Sequence, residues 1–497
     1  LVGFYLANIS CSIIRKKLDL ILKKDAYPFQ KDAFDEIKDK DYFAIFHEQG
    51  LGKTKIAIDL AFHWLENEIV ESVMICTKKS LIKNWMDELN FHGNVPPLVL
   101  SNNKTFNSQR LGSPGAIYLC NFELIRDQIE TYETFFNIRK IGVIIDESTQ
   151  IKNPSSKTAK AFHRLAKVSK KRIIMTGTPI SNRPYDIWSQ IFFLDFGERL
   201  GKTFDDFKEE YDLSNDLNDN PGGQIILKNN LRLLNEKLRN CSVRETKKTA
   251  GIELPTRRFI AEKVPMDSKQ RVLYEKMQIE LSAEVLKDGE LVEEDVEVIL
   301  KRLGKLIQIS SNARLVDERY DLAPPKLKKT EEIINKALAE DSKLLIWTCY
   351  IKNVDYLKEY FKLNGAVGIH GDIKPDERNE IISKFKNNPK TKILIATPGV
   401  AKEGLTLVAA NYAIFYDRNF SLENYLQAQD RIYRISQEKD CYIYKLLSEN
   451  SIDDWIEALL DAKEVAARYA QGDIDEKEYS ERINFDFTEI LRDILNV

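Results

Sequence analysis

The segment FHEQGLGKT follows a short apolar run and has the residue types of a phosphate-binding loop. Gly50 and Gly52 permit a tight backbone path, and Lys53 can reach the β- and γ-phosphates of a nucleotide. The Thr54 hydroxyl can hold Mg²⁺. The usual pattern G-x-x-x-x-G-K-[ST] places its first glycine where this chain has His47. The loop predicts a nucleotide site. The alternative is a glycine turn before an ordinary capped helix.

Two acidic residues end a second apolar run, IGVIID, which continues as ESTQIKN. Asp146 can hold Mg²⁺ through water, and Glu147 can orient and deprotonate an attacking water. Two acids at the end of a buried strand are hard to explain by solvation alone. Together with Lys53 they predict nucleotide hydrolysis.

A pair of arginines lies far away in the sequence, in NYLQAQDRIYRISQ. The spacing of Arg431 and Arg434 places both on one face of a predicted helix. Guanidinium groups stabilise the charge that develops on a transferred γ-phosphate, by about 10³–10⁵ in rate. If these arginines act on the loop at Lys53, hydrolysis depends on how two halves of the chain close. Ordinary ion pairs on a surface helix are the alternative.

The elements that must position these residues form two blocks. Short apolar runs alternate with helical segments in each block, which predicts buried parallel strands with crossover helices. The runs are YFAIF, SVMICT, AIYLC, IGVIID and RIIMT, and then KLLIWT, GAVGIH, KILIAT and NYAIFYD. We therefore predict an α/β fold with two parallel sheets flanked by helices. Between about Tyr185 and Pro325 the strand runs disappear in favour of charged helical segments, and after Cys441 the chain is mostly helical and polar.

Bulk properties limit the class of protein. The chain has 497 residues and a net charge of −3, so binding to nucleic acid requires a local basic patch. Its six cysteines form no C-x-x-C pair and are expected to be buried in a reducing compartment. No apolar stretch reaches the roughly 18 residues of a membrane span. We expect the opening LVGFYLANISCSII to be a packed extension rather than a targeting segment.

These residues resemble the SWI/SNF-type remodelling ATPases of helicase superfamily two. The family's D-E-M-G-L-G-K-T also lacks the first glycine, and DESTQIKN is similar to its D-E-A-H-R-I-K-N. Further segments match in order: YPFQ, CTKKSLIKNW, CNFELI, MTGTPISNRPYDIWSQIFFL, VRETKKTAGIELPTRR, LIQISSN, IHGDI, ATPGVAKEGLTLVAANYAIFYDRNF and QAQDRIYRISQ. The resemblance implies two RecA-like lobes. The domains that it implies are an N-terminal extension (1–26), lobe 1 (27–190), a helical insertion and linker (191–325), lobe 2 (326–450) and a helical tail (451–497).

The resemblance also implies roles for individual residues, with ATP and Mg²⁺ as cofactors. The catalytic residues would be Glu147, Asp146, Lys53, Arg431, Arg434 and Gln427. ATP would be bound by Gln30, as the adenine reader, and by Gln49, Gly50, Leu51, Gly52, Lys53, Thr54, Lys55 and Gly404. Mg²⁺ would be held by Thr54 and Asp146. DNA would be contacted by Lys78, Ser80, Asn84, Trp85, Asn121, His370 and Thr397. A hydrogen-bonded loop histidine is the alternative for His370.

Several positions depart from the family pattern. Ser148 and Thr149 replace the usual Ala-His, and Gln150 replaces a basic residue. Glu245 replaces the second arginine of the linker motif, and Ser436 replaces a glycine. The changes at positions 148 to 150 bear on how tightly ATP hydrolysis is coupled to DNA contact. The acid pair Asp146 and Glu147, which carries the hydrolytic chemistry, is retained.

The function implied is ATP-driven translocation along double-stranded DNA through sequence-independent phosphate contacts. We expect a monomer that acts on a protein target on DNA, with no membrane contact. An intracellular location is expected, in the cytoplasm of a bacterial or virus-infected cell rather than in a nucleus. One alternative is a helicase that unwinds or reanneals branched DNA or RNA. The other is an ATP-gated DNA-binding scaffold with little turnover.

Overall fold

A computed structural model describes residues 20–112, 117–211, 221–287, 290–291, 303–401 and 406–482. The described chain divides into two compact units that alternate along the sequence. The first unit contains described residues of Leu1–Phe43, Gly52–Asp146 and Lys160–Ile174. The second contains those of Ala44–Leu51, Glu147–Ala159 and Met175–Val497. The predicted N-terminal extension is described only from residue 20, where Leu22 forms an isolated bridge with Gly93.

The first sheet has seven strands in the order β3-β4-β2-β5-β6-β1-β7. The pairings β3–β4, β4–β2, β2–β5 and β1–β7 are parallel. The interior strand β2 is buried at every position, as an apolar run in a sheet covered on both faces should be. The strands are β1 (Tyr42–Ile45), β2 (Ser72–Thr77), β3 (Leu98–Val99), β4 (Ile117–Asn121), β5 (Ile141–Asp146), β6 (Lys171–Met175) and β7 (Ser242–Val243).

The second sheet has six strands in the order β12-β13-β11-β14-β15-β8, and all of its pairings are parallel. Its core joins aliphatic residues of β11, β13 and β14 to those of the flanking helices. The strands are β8 (Arg257–Val264), β11 (Leu344–Trp347), β12 (Ala366–Ile369), β13 (Ile393–Ala396), β14 (Tyr412–Phe415) and β15 (Cys441–Ser448). A separate antiparallel pair joins β9 (Leu286–Lys287) to β10 (Glu290–Leu291).

Helices fill the connections between the strands. Several of them begin at a proline, whose fixed φ suits the first helical position, among them the helices that start at Pro28, Pro325 and Pro375. The helices up to the linker are Pro28–Ile37, Lys53–Glu66, Ile82–His92, Lys104–Gly112, Phe122–Asp127, Ile129–Ile138, Lys157–Val168, Trp188–Asp195, Phe204–Tyr211 and Pro221–Arg239. Those after it are Ser268–Val285, Gly304–Ser311, Pro325–Ala339, Ile351–Tyr360, Pro375–Asn387, Pro398–Ala401, Leu422–Gln429, Ile452–Gln471 and Glu476–Arg482.

The predicted α/β fold with two parallel sheets is confirmed, and each of the nine predicted strands is present. The prediction that strands disappear between the sheets is wrong, because β7 joins the first sheet and β8 joins the second. Strand β15 also lies where the sequence predicted mostly helix. Among the described residues, no helix has both the length and the apolarity that crossing a membrane requires.

Candidate active site

The phosphate-loop segment leaves β1 and enters the helix Lys53–Glu66. Gly52 is the N-cap of this helix and has a left-handed backbone, with φ of 66° and ψ of 37°. A β-carbon at Gly52 would lie 2.3 Å from Nε2 of Gln30, so this position requires glycine for two reasons. Lys53 and Thr54 then form the first turn of the helix, where backbone N–H groups and the helix dipole favour an anion.

Gln30, the predicted adenine reader, lies beside this loop and is 4% exposed. Its Oε1 accepts a hydrogen bond from the backbone N–H of Tyr27, at 3.0 Å. Lys55, predicted to bind the cofactor, is also buried, and its Nζ lies 2.5 Å from Oδ1 of Asp59. In this conformation Lys55 stabilises its own helix, which disfavours a direct contact with phosphate.

Asp146 ends β5, and its carboxylate is held from two neighbouring elements. Oδ2 accepts a hydrogen bond from the indole N–H of Trp85 at 2.7 Å and from the Thr77 hydroxyl at 3.2 Å. Trp85 is 1% exposed, so its ring does not face solvent, and this placement disfavours the predicted DNA contact. Sequence reasoning missed Thr77, although its place at the end of the neighbouring strand β2 was a usable signal.

Glu147 follows Asp146 with a left-handed backbone, at φ 57° and ψ 59°. This conformation is uncommon for a residue other than glycine, and such residues cluster at functional sites. Its Oε2 accepts a hydrogen bond from the hydroxyl of Thr176, at 3.2 Å. Thr176 belongs to the MTGTP segment and was not predicted as a site residue. Because of this turn, the Glu147 side chain does not follow the alternation of side chains that an extended continuation of β5 would impose.

The two arginines are not on a helical face, so that prediction is wrong. The helix Leu422–Gln429 ends before them, and both lie in the turns that follow. Arg431 nevertheless reaches the phosphate-loop segment, where its Nη2 lies 3.4 Å from Oε1 of Gln49. Arg434 donates to the Thr406 hydroxyl at 2.9 Å, and its Cγ would lie 3.8 Å from a β-carbon built at Gly50.

Burial and charge set the electrostatics of this pair. Burial lowers the pKa of Arg431, the nearby Arg434 lowers it further, and the carboxylates of Glu147 and Asp430 oppose the shift. Burial also lowers the pKa of Arg434, against the charges of Asp430 and Glu147. A guanidinium keeps its proton at neutral pH, so two desolvated cations at one place favour an incoming anion.

Gln427, predicted to be catalytic, is fully buried in the helix before the arginines. Its backbone carbonyl accepts a hydrogen bond from Nε of Arg431, at 2.9 Å. Within the described residues, neither its side-chain oxygen nor its side-chain nitrogen has a hydrogen-bond partner. Leu51 is buried as well, whereas the predicted cofactor residue Gly404 lies outside the described residues.

His47 stands where the family motif D-E-M-G-L-G-K-T has its Asp, and it contacts another departure from the family pattern, Glu245. His47 is 1% exposed, and its Nδ1 accepts a hydrogen bond from the backbone N–H of Glu245, at 3.1 Å. Ser148, a third departure, donates from its hydroxyl to Oε1 of Gln190 at 2.7 Å, and both side chains are buried. The residues that differ from the family pattern at these positions therefore take part in hydrogen bonds within the protein.

The predicted DNA residues follow the carboxyl ends of neighbouring strands in each sheet. Lys78 and Asn121 follow or end the paired strands β2 and β4, and His370 and Thr397 follow the paired strands β12 and β13. Ser80 and Asn84 are exposed. Asn121 also caps a helix, because its Oδ1 accepts from the backbone N–H of Leu124 at 2.9 Å. His370 has no hydrogen bond to Nδ1 within the described part of the chain.

The donor set suits Mg²⁺. Thr54 and Asp146 offer hydroxyl and carboxylate oxygens, which are the ligands that Mg²⁺ prefers. The described residues contain no cluster of three or more metal-ligating side chains. This is compatible with Mg²⁺, which is commonly bound through one or two protein groups, substrate phosphates and water.

Two protein families match the chain. The SNF2-related domain matches residues 43–315, and the helicase conserved C-terminal domain matches residues 325–436. Among solved structures, the chain is similar to the Sulfolobus solfataricus SWI2/SNF2 ATPase core in complex with dsDNA. The two are 25% identical, 95% of this chain and 97% of that chain are covered, and the TM-score is 0.42.

Relatives come from distant organisms. An uncharacterized ATP-dependent helicase of Mycoplasma pneumoniae is 26% identical over 422 residues, which are 82% of this chain and 38% of the relative. The ISWI chromatin-remodeling complex ATPase ISW1 of Saccharomyces cerevisiae is 24% identical, over 82% of this chain and 37% of its own length. The DNA annealing helicase and endonuclease ZRANB3 of Bos taurus is 25% identical, over 92% of this chain and 42% of its own length.

This chain thus spans about two fifths of the length of these relatives. The first family match alone covers more than half of the chain, and the second follows it directly. The residues of the loop, the acid pair and the arginine pair all fall within the two matched ranges. The chain therefore belongs to the SNF2-related family.

Proposed function

We propose that the chain is an ATP-driven motor that couples hydrolysis to movement along double-stranded DNA. The observation that carries the proposal is the approach of Arg431 to Gln49, at 3.4 Å. Residues 382 positions apart in the sequence meet at the segment that is to bind phosphate. An arginine brought to a phosphate loop from a distant part of the chain is what transition-state stabilisation in nucleotide hydrolysis requires.

The chain's own residues have distinct roles in this proposal. Lys53 binds the β- and γ-phosphates, and Thr54 and Asp146 hold Mg²⁺, which when bound neutralises charge on the phosphate oxygens. Glu147 accepts a proton from the attacking water. Arg431 and Arg434 then stabilise the charge that develops on the γ-phosphate. These groups come from both of the ranges that the two family models match. ATP hydrolysis can therefore be coupled to a change in how each part of the chain holds DNA.

Side chains at the strand ends would supply the DNA contacts. Lys78, Ser80 and Asn84 from the first sheet, and His370 and Thr397 from the second, offer donors to phosphate oxygens. Such contacts fix the position of the protein but carry no sequence information. We therefore propose binding without sequence preference.

An ATPase panel tests the proposal. The basal rate is measured first, followed by the rate with duplex DNA, single-stranded DNA and RNA at equal nucleotide concentrations. We expect duplex DNA to stimulate most. Movement is measured separately, by displacement of a third strand from a triplex placed at one end of a long duplex. Stimulation by duplex DNA with no displacement on any length of track would contradict translocation.

A second candidate function is reannealing of branched DNA, because one relative carries the name of an annealing helicase. A forked substrate with complementary arms distinguishes the two functions. Rapid reannealing without triplex displacement would favour this candidate. An ATP-gated scaffold would instead give a rate near zero under all conditions of the panel.

We further propose that the chain acts as a monomer on a protein target bound to DNA, inside the cell where ATP and DNA are available. We propose that this location is the cytoplasm of a bacterium or of a virus-infected cell. Light scattering with and without duplex DNA tests the oligomeric state. A stable dimer in both conditions would contradict a monomeric motor.

A further inference from the structure

Lys247 lies in the linker between the two sheets and is 6% exposed. Its Nζ lies 2.9 Å from Oε1 of Glu48 and 3.1 Å from Oδ1 of Asp430. Its backbone N–H donates to the other carboxylate oxygen of Glu48, at 2.8 Å. One buried lysine therefore joins two carboxylates that lie 382 positions apart in the sequence.

The chemistry of this contact favours a charged bridge. Burial acts to lower the pKa of Lys247, but the charges of Asp430 and Glu48 outweigh it and the pKa is raised. Tyr433 lies beside the same group, with its ring centroid 5.1 Å from Nζ. Removing one partner from such a buried group leaves an uncompensated charge, so the three residues are expected to act as a unit.

Each carboxylate is the immediate neighbour of a site residue. Glu48 precedes Gln49, and Asp430 precedes Arg431, so the lysine bridge runs alongside the contact between Gln49 and Arg431. The backbone carbonyl of Asp430 also accepts a hydrogen bond from Nε of Arg434, at 3.1 Å. The bridge therefore connects the residues that are adjacent to Gln49 and to Arg431.

We propose that Lys247 is a positioning residue for ATP hydrolysis. By joining Glu48 to Asp430 it sets the distance from the phosphate-loop segment to Arg431 and Arg434. Lys247 touches neither the nucleotide nor the reacting atoms in this proposal. The inference rests on the proposed function and adds to it a residue whose loss acts through geometry.

The substitution Lys247→Met tests the bridge, because it keeps an unbranched side chain that is only one atom shorter and removes the charge. We expect the DNA-stimulated kcat to fall about 10–100-fold, since a misplaced catalytic group can cost about 10²-fold. The KM for ATP and the affinity for a fluorescent ATP analogue should change by less than about threefold. Lys247→Arg should recover part of the lost rate. Lys248→Met is the matched control, because Lys248 is the exposed neighbour of the same type, and its kcat should be unchanged.

Thermal melting accompanies each variant. If Lys247→Met does not fold, Asp430→Asn carries the test, since it keeps the pairing of Lys247 with Glu48. In the double variant that combines Lys247→Met with Asp430→Asn, kcat should fall no further than in the worse of the two single variants, because both substitutions break the same bridge. Multiplicative losses would overturn the proposal, as would a wild-type kcat in Lys247→Met or a rise in KM that accounts for the whole effect.

The two proposals fail in different ways. If the unchanged protein and the Lys248→Met control both show no DNA-stimulated hydrolysis, the proposed function is wrong and the role of Lys247 falls with it. If both hydrolyse ATP and Lys247→Met does so equally fast, only the role of Lys247 is wrong.

Discussion

Glu147 has a backbone conformation that costs about 1–3 kcal/mol for a residue other than glycine. A protein retains such strain where the surrounding structure determines it, and here the Thr176 hydroxyl holds the carboxylate from the next segment. The strained turn lets two consecutive acids serve different purposes. Asp146 remains fixed against Trp85, while Glu147 leaves the line of the strand.

The substitution Glu147→Gln should slow turnover about 10²–10⁴-fold while ATP binding stays close to normal. Glutamine keeps the size and the hydrogen-bond acceptor of the side chain but cannot take a proton from water. Single-turnover hydrolysis and binding of a fluorescent ATP analogue measure the two effects separately.

Lys53→Ala is the contrasting variant, because it should remove both binding and hydrolysis. Equal losses of affinity in the two variants would mean that Glu147 acts in binding rather than in chemistry.

Trp85 and Asp146 give a second prediction at the scale of single residues. Trp85→Phe keeps an aromatic ring in the core but removes the N–H that donates to Asp146. Outer groups that orient metal ligands typically contribute about 10–100-fold to metal affinity. We therefore expect the Mg²⁺ concentration for half-maximal ATPase activity to rise about tenfold or more.

Affinity for duplex DNA, measured without nucleotide, should be unchanged in Trp85→Phe. The opposite result, a loss of DNA affinity at an unchanged Mg²⁺ requirement, would support the prediction that Trp85 contacts DNA.

At the scale of elements, the left-handed turn at Gly52 connects the loop to its helix. Gly52→Ala should weaken ATP binding and lower the melting temperature, because a β-carbon would meet the Gln30 amide at 2.3 Å. The left-handed backbone alone costs an alanine about 1–2 kcal/mol. The matched control is Gly251→Ala, where φ is 64° and nothing lies within 4 Å of an added β-carbon.

Melting curves and ATP titrations of both glycine variants separate the backbone effect from the clash. An equal loss of stability in Gly52→Ala and Gly251→Ala would show that the contact with Gln30 contributes nothing.

Most elements could be predicted from the sequence because buried parallel strands form short continuous apolar runs. Strand β8 could not, because it lies at the edge of its sheet and its sequence RRFIAEKV mixes charged and apolar residues. Strand β7 was missed because a pairing of two residues carries too little pattern to detect. The turn at Arg431 was mistaken for helix, because a spacing of three residues does not show where a helix ends.

The site was predictable to the extent that its chemistry depends on residue types in fixed order. The types in the loop, the acid pair and the arginine pair indicate phosphate chemistry without any coordinates. The contacts of Thr176 and Lys247 were not predictable, since each depends on which segments of the chain are neighbours in space.

At the scale of the whole molecule, the net charge of −3 means that attraction to DNA must come from local groups. With about 6–10 phosphate contacts, affinity should fall by about 10³–10⁵ between 50 and 200 mM salt. Fluorescence anisotropy with a labelled duplex measures this fall. Substituting Lys78 by alanine should lower affinity equally for unrelated sequences and should reduce the salt slope by about one.

The affinity for ATP, measured without DNA over the same salt range, is the control and should change much less. A DNA affinity that is insensitive to salt would mean that phosphate contacts do not dominate binding.

Strand β7 has a consequence for how the protein is made. The backbone N–H groups of Ala44, Phe46 and Glu48 donate to the carbonyls of Cys241, Val243 and Glu245. At a synthesis rate of about 5–20 residues per second, these partners leave the ribosome roughly 10–40 seconds after β1 does. During that interval the nascent chain carries an open strand edge beside its nucleotide loop, and such an edge invites wrong pairing. A recombinant fragment that stops at residue 190 would keep this edge permanently.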